Sequence, residues 1–521
     1  MGSMNATVSS TGDQTEVIEF LSSPSSYGLT QGVERHETHG AIVFLAGERA
    51  YKLKRAVKFP YMDYSTAARR REMCEQELAV NRRTAPSLYL DVRTVVRTAG
   101  GALGFGPRDA ADALDWVVVM RRFDQAALLE QMRRCDGLTS SMMTTLAETL
   151  ADFHKAAEIT PKHGGARGIS DVIGEDALMF KIMAGRHFAP EKLDRLARLA
   201  WRSLDQHSAL LDRRRQDGFV RRCHGDLHLN NICLVHGLPV LFDAIEFNDD
   251  FSCIDVFYDL AFLLMDLDHH GLRAHANTVL NRYLEMTADY GGVTVLPLFL
   301  SCRAAVRAHV SVAGAQASGE RSGRMAEESR SLLDSAIRYL EPSPPGLIAV
   351  GGLSGTGKST LARRLAPALG LAPGAVILRS DVIRKTLFGA PDTQRLPASA
   401  YAAEVTQRVF TRIADTAGQL LSAGYTVVAD AVYASEEQRE QIAAVAAGAG
   451  VPFRGLWLAA PQPLLEKRIS ARRRDASDAT VEILHQQLGY VQEPGSWARI
   501  DASAPADEIA AQVLQTPIAR S

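Results

Sequence analysis

The sequence predicts a mixed α+β N-terminal region, followed by an α/β domain built on a parallel sheet. Three observations carry this. Residues 15–120 mix strand patterns with one helical stretch, whereas helical periodicity dominates 138–340. The segment Glu341-Pro-Ser-Pro-Pro-Gly346 can neither continue a helix nor donate ladder hydrogen bonds, so it reads as a linker. Beyond it, over 347–521, short apolar strands alternate with helical stretches, the pattern of a parallel sheet with helices on both faces.

Length and composition set the bounds. With 521 residues the chain exceeds a single core. It is 46% hydrophobic and 23% charged, ordinary for a globular protein. Lys and Arg number 58 against 60 Asp and Glu, so the net charge of −2 offers no global electrostatic case for nucleic acid or an anionic membrane. No apolar run approaches the ~18 residues that span a bilayer; Leu260-Ala-Phe-Leu-Leu-Met265 is core-sized. The N-terminus has neither the basic nor the apolar region of a signal peptide, and a cytoplasmic location is the expectation. Residues 1–14 read as a disordered tail or tag remnant, with Met4 as a native start.

The cysteines at 74, 135, 223, 233, 253 and 302 are scattered and read as reduced thiols. Cys223, His224, His228 and Cys233 lack the tight paired spacing of a zinc site.

In chain order, Ala41-Ile-Val-Phe-Leu and Arg49-Ala-Tyr-Lys-Leu-Lys54 around Gly47 predict a hairpin. Residues 66–83, charged with Cys74, Leu78 and Val80 at intervals, predict an exposed-face helix. Asp115-Trp-Val-Val-Val-Met120 predicts an apolar strand. Short strands are expected near 232–235 and 239–243, and in the C-terminal half near 347–350, 375–378, 426–430 and 455–459.

The strand at 347–350 leads into Gly352-Leu-Ser-Gly-Thr-Gly357-Lys358-Ser359, which fits G-x-x-x-x-G-K-[ST], and a helix follows from Thr360. Glycines let successive backbone N–H groups curl around phosphates, and a helix N-terminus adds positive potential. Gly352, Ser354, Gly355, Thr356, Gly357 and Thr360 are therefore expected to cradle ATP. Lys358 would reach the β- and γ-phosphates and Ser359 would ligate Mg2+. After the second strand come Asp381, placed to accept a proton from a hydroxyl, and Arg384, placed to hold an anion. Asp430 ends a strand, where a carboxylate can support the Mg2+ shell. Arg468, Arg472, Arg473 and Arg474 form either a solvated charge run or a lid closing on the transferring phosphoryl group; Arg468 and Arg472 would share a helix face. This half, over about 347–500, resembles the small P-loop kinases, especially the polynucleotide-kinase and gluconate-kinase-like group with its Ser-Asp-x-x-Arg segment.

Upstream, His224-Gly-Asp226-Leu-His-Leu-Asn-Asn231 fits H-x-D-x-x-x-x-N, with Asp243 following in Leu-Phe-Asp-Ala-Ile-Glu-Phe. The stretch resembles the catalytic loop of the aminoglycoside phosphotransferase and choline kinase branch of the protein-kinase-like fold. That resemblance, spanning roughly 30–340, implies a bilobal kinase-like domain. It makes Asp226 the acceptor of the substrate hydroxyl proton, Asn231 and Asp243 the Mg2+ ligands, and His224 a brace. Lys52 and Lys54 alternate onto one strand face, so both are candidates to bind phosphate, Lys52 ahead of Lys54. Glu77, ahead of Glu75, would be the ion-pair partner. The strand ending at Met120 is either a nucleotide hinge or simple core. Tyr258-Asp259-Leu-Ala matches a stretch of this branch in which Asp259 is structural. Glu246, Asp249, Asp250, Asp255, Asp266 and Asp268 make the region acidic, suiting either a cationic acceptor or a solvated face. No Gly-x-Gly-x-x-Gly loop is present, so nucleotide closure must rest on something else.

The whole chain therefore resembles a fusion of a phosphotransferase-like domain and a P-loop kinase domain. The resemblance implies an ATP- and Mg2+-dependent phosphotransferase with two nucleotide centres and a small-molecule hydroxyl acceptor. Two rival readings make one half a nucleotide-sensing regulator of the other, or the C-terminal half a kinase of nucleic-acid 5′-hydroxyls. Nothing basic or aromatic-rich favours the last.

Overall fold

The computed structural model describes residues 13–30, 32–59, 61–183, 187–315, 322–392, 394–471, 476–492 and 494–516. By contact the chain divides into two compact units, Met1–Asp171 with Ser208–Leu263, and Val172–His207 with Leu264–Ser521. The Pro-rich segment 341–346 falls inside the second.

In the first unit six strands form one antiparallel sheet. Its order is Glu34–Glu37, Ala41–Ala46, Arg49–Lys54, Ala113–Arg121, Tyr89–Arg97, Leu103–Gly106. The apolar run on Ala113–Arg121 is buried on both faces. Trp116, Val118 and Met120 pack with Cys74 and Leu78 of the helix Ala67–Asn81. Val117 and Val119, one residue out of phase, pack with Ile42, Phe44 and Leu53 and with Val17 and Leu21 of the helix Thr15–Ser22.

The helix Ala67–Asn81 starts at Thr66, whose hydroxyl accepts from the Arg69 amide. It is not only an exposed-face helix, because it also buries Arg70, Glu77 and Asn81. Buried polar groups require partners. Arg70 Nε donates to Asp115 at 2.9 Å, and Asp115 also accepts from Gln14 Nε2 at 2.6 Å. Gln14 is therefore not tail but buried structure, its carboxamide also bonding Lys54 O and the Ala56 amide. Residues 1–12 of the expected tail lie outside the described residues. The unit is completed by the antiparallel hairpin Ile232–Val235 with Leu238–Leu241, and by Val220–Arg222 paired with Cys253–Asp255.

In the second unit five strands form an all-parallel sheet in the order Val376–Arg379, Val427–Asp430, Leu347–Gly352, Phe453–Ala459, Ala498–Asp501. The fifth strand carries no apolar signal in the sequence because its residues are mostly exposed. Ile348, Val350, Val428, Leu456 and Leu458 meet Leu361 and Leu365 of the helix Lys358–Leu365 and Ile509 and Val513 of the helix Ala506–Gln515.

The stretch Tyr290–Ser311 is long and apolar enough to cross a membrane by length and composition, contrary to the expectation from unbroken apolar runs, because polar residues such as Ser301 and Arg303 interrupt it. Two-thirds of its 18-residue apolar window is buried within the protein. Much of it lies on the helix Leu296–Ala315, which packs along Ser322–Tyr339, with Ser301 Oγ donating to Ala336 O at 2.8 Å.

Candidate functional site

The first constellation is assembled around the hairpin and the helix beside it. Lys52 Nζ donates to Glu77 Oε1 at 2.8 Å and to Asp243 Oδ1 at 2.5 Å. Lys54 Nζ donates to the other Glu77 oxygen at 2.7 Å and to Glu246 at 2.5 Å, and Glu246 also accepts from Tyr64 OH. Glu77, with no exposed side-chain surface, thus bridges two lysines of different kind. Lys54 is sealed in at 2% exposure, while Lys52 reaches Asp243, whose side chain is 42% exposed. Burial works against both ammonium groups, but their carboxylate partners more than offset it and hold each pKa well above the ordinary lysine value. For Glu77 burial pushes upward and the two lysines push down harder, so its carboxyl stays ionised.

The His-Gly-Asp loop is clamped from behind by Asp259. That carboxylate accepts from the amides of His224 at 3.1 Å and Gly225 at 2.8 Å, and His154 Nε2 lies 3.1 Å away. The His224 ring accepts at Nδ1 from the Asp226 amide and meets Phe242 O at 2.9 Å through Nε2, which fixes the tautomer with its proton on Nε2. Burial depresses its pKa, keeping the ring neutral. Gly225 has φ +85°, and a Cβ there would stand 2.7 Å from Phe251 O. Only glycine suits this turn.

The loop presents Asp226, 39% exposed and 3.3 Å from His228 Nε2. Asn231 Nδ2 donates to the Asp226 carbonyl and to its carboxylate, both at 2.9 Å. Asp243 sits at φ +62°, its amide donating to Tyr89 OH, while the next amide, Ala244, donates to Asn81 Oδ1 at 2.8 Å. The helix bearing Glu77 therefore also positions the backbone that bears Asp243. Met120 lies in the core cluster with Tyr89 and Cys233. The amides that follow it are occupied, Arg121 by Leu88 O and Arg122 by Glu48 O.

The second constellation follows the strand Leu347–Gly352. Gly352, Gly355 and Gly357 have φ of +134°, +88° and +90°, and a Cβ on Gly355 would lie 2.9 Å from Leu465 O. Lys358 Nζ donates to Leu353 O at 3.0 Å, and the Ser354 amide donates to Gln487 Oε1. Ser359 Oγ donates to Asp430 Oδ2. Gly355, Gly357, Lys358, Ser359 and Asp430 line a cavity of about 780 Å³ with Thr356, Thr360, Asp381, Arg384, Tyr401 and Arg468. Burial raises the Asp381 pKa; Arg379 and Lys358 work against that, and Asp430 adds to it. Arg384 donates to Ala400 O at 2.7 Å and lies over the Tyr401 ring. Arg468 donates to Ala502 O. Arg472, Arg473 and Arg474 lie outside the described residues.

Both constellations offer oxygen donors, the carboxylates and amide of Asp243 and Asn231 and the hydroxyl and carboxylate of Ser359 and Asp430. Such sets fit a hard cation such as Mg2+. The acidic stretch is largely matched internally. Asp249 pairs with Arg222, Asp250 with His163, Asp255 with Arg214, Asp266 with His270, and Asp268 with Tyr339. Asp249 and Asp250 nevertheless keep exposed side chains, at 55% and 79%. Sequence reasoning missed Tyr89, Asn81 and Tyr64, since a buried tyrosine or asparagine carries no spacing signal. It also overlooked Arg379, whose Nη2 lies 3.4 Å from Ser359 Oγ.

Residues 52–296 match the family model described as the phosphotransferase enzyme family, and 347–494 match one described as an AAA domain. The chain thus joins a segment that matches a phosphotransferase family to one that matches an AAA domain, and it is an enzyme of the kinase and phosphotransferase class. Proteins of Mycobacterium tuberculosis and Mycobacterium bovis, both described as uncharacterized, are each 28% identical to it over 493 residues, 92% of this chain and 94% of theirs. A choline/ethanolamine kinase family protein from Mesorhizobium loti is 13% identical, covering 62% of this chain and 97% of its own, with a TM-score of 0.37. A gluconokinase from Sinorhizobium meliloti is 23% identical, covering 33% and 91%, with a TM-score of 0.25.

Proposed function

We propose that the chain carries two ATP- and Mg2+-dependent centres, the first transferring the γ-phosphoryl group to the hydroxyl of a small molecule. The observation that carries this is the way one buried helix face organises the first constellation. Glu77 holds Lys52 against Asp243, while Asn81 of the same helix holds the backbone beside Asp243. A phosphate-binding cation and a metal-side carboxylate are thereby fixed together by the protein's own side chains, the preorganisation that electrostatic catalysis needs.

In this reading Lys52 binds the nucleotide phosphates. Asp226 accepts the acceptor hydroxyl's proton as its oxygen bonds to the γ-phosphorus, and the bond to the bridging β–γ oxygen breaks to release ADP. Asn231 and Asp243 would hold Mg2+, which would supply charge neutralisation there. The neutral His224 and the clamp by Asp259 position the loop without reacting.

At the second centre Lys358 binds phosphate, Ser359 and Asp430 are the metal-side groups, Asp381 is the proton acceptor, and Arg384 and Arg468 hold anionic oxygens. Small-molecule acceptors accord with the near-neutral net charge.

The test is a metabolite screen for ATP-dependent gain of one phosphate, run on wild type, Asp226→Asn and Lys358→Ala. Two products, each lost in one variant only, are expected. Loss of a single product in both variants would refute independent centres.

A further inference from the structure

Strand Val376–Arg379 is the edge of the parallel sheet, and unpaired edges must be covered. Here a helix does the covering. Asn281, on the helix Arg273–Thr287, accepts from the Ile377 amide at 2.7 Å and donates to Ala375 O at 3.2 Å. Asn277 donates to Ala375 O as well, and Arg273 donates to Gly370 O at 2.8 Å. The fit is close, since a Cβ on Gly374 would stand 2.7 Å from Asn277 Nδ2. This helix lies within residues 52–296, the stretch matching the phosphotransferase family, yet its polar side chains serve the P-loop sheet.

The last turn of that helix delivers a charge to the second centre. Glu285 accepts from Arg282 at 3.0 Å and from Arg379 Nη1 at 3.4 Å, and Arg282 is itself tied to Asp392. Arg379 pairs in register with Asp430 on the neighbouring strand. Its buried guanidinium lies between Glu285 on one side and the Ser359–Asp430 pair on the other, with Nε 3.6 Å from Asp430 Oδ2. A guanidinium is permanently charged. So close to Asp430, it competes for the same carboxylate that would face a divalent cation. Glu285 is the counterweight that draws it off.

We infer that Glu285, through Arg379, is a positioning residue that sets the Mg2+ affinity of the P-loop centre. The helix Arg273–Thr287 thereby makes that centre depend on the phosphotransferase-family stretch. This rests on the P-loop reading given above. Neutralising Glu285 releases Arg379 toward Asp430 and weakens the cation site without touching the phosphate loop.

The experiment is a Mg2+ titration of fluorescent trinitrophenyl-ATP binding to the full chain, taking the component lost in Lys358→Ala. Glu285→Gln should raise the half-saturating Mg2+ concentration about tenfold, the size typical of groups that orient metal ligands. Binding in EDTA should stay unchanged. Arg379→Met introduced into Glu285→Gln should bring the Mg2+ requirement back to within about threefold of wild type, since the competing charge is gone.

A Mg2+ curve unmoved by Glu285→Gln, with only the melting temperature lowered, would overturn the inference and leave Glu285 a packing residue. Failure of the double variant to recover would overturn it too. A wild-type chain with no Lys358-dependent nucleotide signal would sink the P-loop reading itself, a different outcome from either.

Discussion

Replacing Lys52 and Lys54 one at a time by methionine should separate catalysis from folding, although the two are alternate residues on one strand. Lys54 is 2% exposed, and its partners Glu77 and Glu246 are 0% and 5% exposed. Removing it leaves Glu246 with the Tyr64 hydroxyl in place of a counter-charge. Breaking a buried ion pair in this way costs about 3–5 kcal/mol, and at about 2–4 °C per kcal/mol for a unit of this size the melting temperature should fall by roughly 6–20 °C. Lys52 is different. Without it Glu77 keeps Lys54, and the half-exposed Asp243 keeps water, so the loss should be about 1–2 kcal/mol, in the ordinary range for a substitution. Its activity should nonetheless drop by about 10²–10³, the cost of deleting one preorganised electrostatic contact. Calorimetric melts paired with the Asp226-dependent phosphorylation rate at saturating ATP measure both. If Lys54→Met proved stable but inactive while Lys52→Met stayed active, the assignment of the two lysines would be reversed.

Gly225→Ala should destabilise the His-Gly-Asp loop by about 2–4 kcal/mol, combining a left-handed backbone penalty of ~1–2 kcal/mol with a clash against Phe251 O; a melt identical to wild type would refute this. Asp381→Asn should be more stable than wild type at neutral pH. Burial lifts the folded pKa above the ordinary 3.8, so the wild-type penalty grows as pH rises from 3.8 through the folded pKa, and the variant's advantage should vanish below pH 3.8 in a pH series of melts. Among the six thiols only Cys135 is exposed, and burial pushes those of Cys74, Cys223 and Cys302 upward. A neutral-pH thiol reagent should therefore label one cysteine in the native protein and six after denaturation, counted by mass.

What was legible in the sequence was whatever depends on backbone constraint. The P-loop glycines, the His-Gly-Asp turn and the apolar run at 116–120 each leave a local trace, because only certain residues tolerate positive φ or a strand buried on both faces. What was illegible depends on partners distant in sequence. Glu246 looked like one more acid in an acidic stretch until Lys54 was seen buried beside it. Gln14 looked like tail because nothing local announces a bond to Asp115. The strand Ala498–Asp501 escaped because an exposed edge needs no hydrophobic alternation.

The helix Arg273–Thr287 shows the limit most sharply. Asn277, Asn281, Arg282 and Glu285 are polar residues at helical spacing, and such a face ordinarily belongs to solvent. Here the sheet edge supplies the unpaired amide and carbonyl groups that water would otherwise satisfy, so the polar face is an interface. A Pro-rich segment marks where the backbone cannot be regular, but it does not say which side chains will meet. Residues 341–346 lie in the same unit as this helix and the parallel sheet. A substitution that removes these polar contacts without altering the linker, Asn281→Leu, should therefore lower the melting temperature of the second unit. Replacing the prolines at 342, 344 and 345 by alanine should lower it far less. If the proline variant proved the more damaging, the linker and not the helix would be what holds this unit together.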